Sequence, residues 1–153
     1  MTYRVIQWAT GNIGSRALKR VIEHPQYELV GLWVSSAEKV GKDAGALCGL
    51  PDTGVLATND AAALIATPAD CVLYMRQGVD WDEVCAILAS GKNIVSTRGE
   101  FHNPKMMPPG RREQVEAAEE AAHQGDVGGE RRDAVRLDLH FGALLAGAER
   151  ACH

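Results

Sequence analysis

The chain is 153 residues long, 46% hydrophobic and 24% charged, with a formal net charge of −4 at pH 7. Such a composition belongs to a globular protein with a real core, and the acidic balance argues against a nucleic-acid partner held by a basic surface. No apolar run approaches the roughly 20 residues of a membrane span, and the N-terminus lacks the basic and apolar regions of a secretory leader, so a cytoplasmic setting away from membranes is expected.

The elements alternate in type from the first residues onward. Residues 3–8 (YRVIQW) read as a short strand, followed by a tight turn and a helix over about 14–24 with Ile13, Ala17, Leu18, Val21 and Ile22 on its apolar face. Pro25 stops that helix. Residues 28–34 (ELVGLWV) are nearly continuously apolar, which suits a strand covered on both faces. Residues 35–53 are a glycine-rich excursion with one short helix around 43–47, and 55–57 read as a brief third strand. Thr58, Asn59 and Asp60 offer caps for a helix over 61–66, which Pro68 ends. Residues 70–75 (DCVLYM) are the fourth strand. Asp80 caps a helix that runs to about 90, with Val84, Ile87 and Leu88 inward, and Gly91 closes it. Residues 93–97 (NIVST) are the fifth strand. This alternation predicts an α/β fold, a Rossmann-type doubly wound parallel sheet with ligands at the carboxyl ends of its strands.

The character changes near Pro109, so residues 1–109 are expected to form a dinucleotide-binding domain and 110–153 a helical, alanine- and arginine-rich tail. Within that tail, 111–124 is helical in pattern, 125–133 is a polar turn, and 134–153 reads as a final helix weakened by Gly142 and Gly147. Cys48, Cys71, Cys85 and Cys152 lack metal-ligand spacing, and the scattered histidines 24, 102, 123, 140 and 153 make no ligand pair, so no metal is expected. Cys71 and Cys85 read as small buried hydrophobes.

The chemistry-bearing segment is the turn after the first strand. Thr10, Gly11, Asn12, Ile13 and Gly14 follow a strand and open a helix, which is how a chain cradles a diphosphate. Ala9 stands where the fingerprint's first glycine usually sits. An ordinary strand–turn–helix has the same spacing; the motif's place at the head of a βαβ unit favours the dinucleotide reading. About 20 positions further on, NAD-binding folds carry an acid for the ribose hydroxyls. Here Ser35 and Ser36 occupy the end of the second strand, with Lys39 and Arg16 as nearby cations, which favours NADP over NAD. Glu38 could instead reach the ribose, and the serines could simply turn the chain. Trp8 and Trp33, ending strands one and two, are expected to flank the cofactor groove.

Together, VIQWATGNIG (5–14), LVGLWVS (29–35), DCVLYM (70–75) and NIVSTRGEFHNP (93–104) resemble the dihydrodipicolinate-reductase-like oxidoreductases, in the branch with 2,4-diaminopentanoate dehydrogenase and the native amine dehydrogenases. The resemblance covers roughly the first two-thirds of the chain. It implies an NAD(P)H-binding domain, hydride transfer at a carbon bearing nitrogen, a small amine or imine substrate, and in longer relatives a second domain that shapes the substrate pocket and usually makes a homodimer. It places Gly11, Asn12, Ile13 and Gly14 at the diphosphate, Ser35 and Ser36 at the adenosine ribose, and Tyr74 and Met75 beside the nicotinamide ribose. Residues from Thr97 to Glu100 would reach nicotinamide and substrate. Glu100 is the candidate catalytic residue, since a carboxylate binds ammonium and relays a proton; a solvated loop glutamate is the plain alternative. His102 is either a proton relay or a backbone hydrogen-bonding imidazole.

The lysine-pathway reductases carry a histidine-rich catalytic segment and a Pro-Ser-Gly-Thr stretch that this sequence lacks, so dihydrodipicolinate is not the expected substrate. The resemblance stops short of the relatives' substrate domain, and the alanine, arginine and glycine bias of the tail is what a frame-shifted reading of GC-rich DNA would give, so a truncated or frame-shifted product is the expectation. A nucleotide-binding module without turnover and a non-functional truncated fragment are therefore the alternatives to an active oxidoreductase.

Overall fold

The computed structural model describes residues 2–124 and the two-residue strand Leu137–Asp138. The chain divides into two compact units, Met1–Gln77 and Gly78–His153.

In the first unit, β1 (Tyr3–Trp8) pairs in parallel with β2 (Tyr27–Trp33) on one side and β4 (Cys71–Tyr74) on the other, and β2 pairs with β3 (Ala57–Thr58). The strand order is β3-β2-β1-β4, so the chain steps outward twice and then returns past β1. That reversal is the topological switch point of a doubly wound sheet, and it places the candidate ligand site at the carboxyl end of β1.

Helix α1 (Asn12–Glu23) joins β1 to β2 and buries Gly14, Ala17, Leu18 and Val21. Ile13, expected on that apolar face, is 51% exposed. It sits in the first turn of the helix, ahead of the buried stripe. Leu18 packs with Leu32, Val34, Ala44 and Ala57, and Leu29 joins the same cluster. A bulge makes this possible. The register of β1 on β2 skips Val30, so Val5 faces Leu29 while Gln7 faces Leu32, and both leucines point to one side. The expectation of a strand covered on both faces holds only for the carboxyl half of β2: Gly31, Leu32 and Trp33 are buried, Tyr27 to Val30 are not.

Short capped helices complete the unit. Asp43 caps α2 (Ala44–Cys48) by accepting from Gly45 N, and Asp60 caps α3 (Ala61–Ala66) by accepting from Ala63 N. Leu64 of α3 lies against Gly31, where an added Cβ would come within 2.6 Å of the leucine methyl.

In the second unit, Asp80 caps α4 (Trp81–Ala89), which buries Trp81, Val84, Ile87 and Leu88. Gly91 turns the chain at φ +82°, a left-handed geometry that favours glycine, into β5 (Asn93–Ser96). Two short helical pieces follow, α5 (Gly99–His102) and a 3-10 turn at Pro104–Met106. Phe101 of α5 is buried edge-on against Trp81, with ring centroids 5.5 Å apart. Helix α6 (Arg111–Gln124) packs on α4 through Val115 and Ala118. Residues 137–138 were expected within a helix; they form a short strand, β6, parallel to Ile94 and Val95. The rest of 125–153, including the expected polar turn and final helix, lies outside the described residues. Among the described residues no helix is long and apolar enough to cross a membrane.

Candidate functional site

The first unit ends its three central strands in a row of aromatic rings. Trp8 is in register with Trp33 and with Tyr74. The two indoles stack at 5.5 Å with planes 8° apart, and Tyr74 stacks on Trp8 at 6.4 Å. All three are buried, so the tryptophans lie inside the fold at the strand ends. Large flat rings in one cross-strand row favour each other over solvent. Arg76, two residues past β4, lays its guanidinium over Trp33 at 5.2 Å from the ring centroid.

The loop that follows β1 is held at three points. Ala9 donates its N–H to Trp33 O at 2.9 Å and adopts φ +76°. This left-handed conformation explains why a glycine is usual at that position. Gln7 is fully buried, and its Nε2 donates to Ala9 O at 2.9 Å while its Oε1 has no partner. The carbonyl of Thr10 accepts from Ser15 Oγ at 3.0 Å and from Lys39 Nζ at 3.1 Å, and Lys39 Nζ also donates to Thr10 Oγ1 at 3.0 Å.

The two glycines divide the work. Gly14 is buried, and a Cβ there would run into the carbonyl of Ala9. Gly11 is the N-cap of α1, makes no side-chain cap, and has nothing within 4 Å of where its Cβ would be. The first intrahelical bond runs from Ser15 N to Gly11 O at 2.8 Å. Hence no side chain blocks the first-turn N–H groups, and the positive end of a 12-residue helix opens past Gly11. No acidic residue stands in the first turn. An anion with two phosphates suits this cradle.

Other expected site residues of this unit surround the same strand ends. Ser35 is exposed, and Ser36 is half-buried as the N-cap of the 3-10 turn Ala37–Lys39. Met75 is buried and donates its N–H to Trp8 O at 2.9 Å. Tyr74 is committed to the aromatic row. Lys39 stands in the turn that Ser36 caps, its N–H bonded to Ser36 O at 3.0 Å, and its Nζ reaches Thr10 across 29 positions of chain. The loop support from Gln7 and the cation of Arg76 were missed; a polar residue inside an apolar strand was the available sign of the first.

In the second unit, Thr97 is exposed and Glu100 half-buried. Arg98 Nη2 meets Glu100 Oε1 at 3.0 Å. The backbone N–H of Glu100 itself holds its carboxyl below the usual range, and Arg98 adds to this against partial burial. Glu100 is therefore an ionised carboxylate near neutral pH, better placed to hold a cation than to store a proton. The Arg98 Nε is buried without a partner. His102 is exposed at the end of α5. Burial pushes the Cys85 and Cys48 thiols up, which makes both poor nucleophiles. Among the described residues no three His, Cys, Asp or Glu side chains gather into a metal-binding group.

A family model described as "Dihydrodipicolinate reductase, N-terminus" matches residues 5–99. An amine dehydrogenase of Streptomyces virginiae is 36% identical over 120 residues, 74% of this chain and 33% of the relative. A 4-hydroxy-tetrahydrodipicolinate reductase of Methanopyrus kandleri is 39% identical over 71 residues, 45% of this chain and 26% of the relative. The solved amine dehydrogenase from Mycobacterium smegmatis superposes with a TM-score of 0.72 at 22% identity, over 80% of this chain and 37% of that one. The Rossmann-type fold is thus shared with a solved dehydrogenase, and the chain spans about a third or less of these relatives' lengths.

Proposed function

The chain belongs to the family of the dihydrodipicolinate reductase N-terminus, and on that premise we propose that it is the NADP(H)-binding domain of an oxidoreductase acting at a carbon bearing nitrogen. The observation that carries the reading is the uncapped N-terminus of α1 at the carboxyl end of β1, beside a Gly14 that admits no side chain. Thr10, Gly11, Asn12, Ile13 and Gly14 hold the diphosphate through backbone N–H groups. Ser35 and Ser36 take the adenosine ribose, and two hydroxyls in place of an acid accept a 2′-phosphate without charge repulsion. Tyr74 and Met75 are the candidates of the first unit for the nicotinamide half, and Thr97 is the candidate of the second unit by itself. A bound nicotinamide supplies or accepts the hydride.

Glu100 takes the substrate amine. Its carboxylate is already ionised by its own backbone N–H and by Arg98, so it attracts an ammonium group and orients it. The substrate is a small amine or imine, and the setting is the cytoplasm. The similarity to amine dehydrogenases supports this chemistry.

Titrating the full chain with NADPH and with NADH, followed by the fluorescence of the buried Trp8–Trp33 pair, tests the reading. Saturable quenching with tighter NADPH binding is expected. No response from a cooperatively folded chain overturns it. Equal affinity for the two cofactors removes the NADP preference alone.

A further inference from the structure

Lys39 ends the 3-10 turn that follows β2, close in sequence to Ser35 and Ser36, where a cation invites assignment to a 2′-phosphate. Its ammonium is bonded to the loop after β1. Nζ donates to both oxygens of Thr10, at 3.1 Å to the carbonyl and 3.0 Å to Oγ1. Thr10 is 7% exposed and directly precedes Gly11, the cap of α1. Ser15 Oγ bonds the same carbonyl at 3.0 Å from within the first turn of α1. The lysine thus ties the segment after β2 to the loop after β1, and brings a full positive charge to the residue before the open helix end.

We infer that Lys39 is a positioning residue of the diphosphate loop, acting through Thr10, and that it raises affinity for NADH and NADPH alike without reading the 2′ position. The inference rests on the dinucleotide reading of the loop given above. Its physical basis is the ligand's own charge distribution. Both cofactors carry the same diphosphate, so an ammonium that stabilises the loop and adds to the helix-end potential favours both equally. Discrimination falls to Ser35 and Ser36, whose side chains border solvent.

The test compares affinities of the full chain for NADPH, NADH and 2′-AMP, which has a 2′-phosphate and no diphosphate. Lys39→Met is expected to weaken NADPH and NADH by one common factor of about tenfold, the size of one charge-assisted contact. The NADPH/NADH ratio and the 2′-AMP affinity stay at wild-type values. Lys39→Arg, which keeps charge and donors, recovers most of the loss. If Lys39→Met does not fold, Thr10→Val decides the matter, since it removes the hydroxyl acceptor in near-identical volume and must also lower both affinities at constant ratio. A collapse of NADPH binding with NADH untouched overturns the inference and puts Lys39 on the 2′-phosphate. Unchanged affinity for all three ligands also overturns it. A wild-type chain that binds neither dinucleotide instead removes the underlying reading of the loop.

Discussion

The two units build their candidate functional parts from different materials. In Met1–Gln77 the cradle is backbone: an open helix end, a glycine with space above it, a glycine with none, and a loop tied down by Gln7, Ser15 and Lys39. In the second unit the candidate group is a pair of charged side chains, Arg98 and Glu100, at the start of the short helix α5, which buries Phe101. A backbone cradle is fixed once the strand and helix form, because its donors cannot rotate away. A side-chain pair takes its character from its surroundings: the backbone N–H of Glu100, and after it Arg98, hold the Glu100 carboxyl below its usual range. Damage to the first should therefore remove cofactor binding altogether, while damage to the second should weaken the hold on a cation and spare cofactor binding.

Gly14→Val is the severest test of the backbone half. Its Cβ meets the Ala9 carbonyl, which is main chain and cannot swing aside. A stability loss of about 3 kcal/mol and no dinucleotide binding are expected, read by denaturant unfolding and titration. Glu100→Gln probes the side-chain half. On the proposed reading it should weaken binding of a small amine about tenfold and leave NADPH affinity within about twofold. Loss of NADPH affinity instead would make Glu100 part of the cofactor site.

Ser36→Asp sharpens the division between cradle and ribose. The new carboxylate repels a 2′-phosphate and suits free hydroxyls, so the NADPH/NADH preference should move toward NADH by about tenfold. An unmoved preference places the 2′ group away from Ser36.

The pH dependence concerns Asp43 in the first unit. The N–H of Thr53 is the main cause holding its carboxyl below the ordinary aspartate range, joined by Gly45, Gly54 and the Thr53 hydroxyl. A folded pKa below the unfolded one means the carboxylate contributes stability above the unfolded value, and this is lost as pH falls through the folded value. Asp43→Asn should lower the unfolding midpoint at neutral pH and flatten its decline below the ordinary carboxylate range. A variant whose midpoint declines as steeply as wild type assigns the acid sensitivity to another group. The smallest effect is expected at Ala9, held at φ +76°. Ala9→Gly relieves the left-handed strain but frees the unfolded chain, for a net gain of about 0.5 kcal/mol. A loss of stability there would mean that the methyl packs more favourably than the strain costs.

Local signals were readable in advance. The strand Tyr3–Trp8 and the helices Ala61–Ala66 and Arg111–Gln124 stand at their expected bounds, and Asp60 and Asp80 cap where their spacing placed them. Each depends on residues a few positions apart. The glycine loop was legible for the same reason, and the family match over residues 5–99 agrees with the resemblance of its motifs. What escaped notice depends on partners distant in sequence. The bulge at Val30 exists because Leu29 and Leu32 both serve one cluster. The bond from Lys39 to Thr10 spans 29 positions. Each indole ends a strand, and the stacking of one on the other depends on a register between strands distant in sequence. Ile13 fits the helical period of an apolar face, yet stands exposed in the first turn of α1.

The claim at the centre is that the N-terminus of α1 receives a dinucleotide diphosphate. Backbone amide NMR of the full chain, titrated with NADPH, reads it directly. The expected result is a saturable shift largest at the amides of Gly11, Asn12, Ile13, Gly14 and Ser15, with a smaller response at Ser35 and Ser36. Saturable shifts that spare those loop amides, or none in a folded chain, would contradict it.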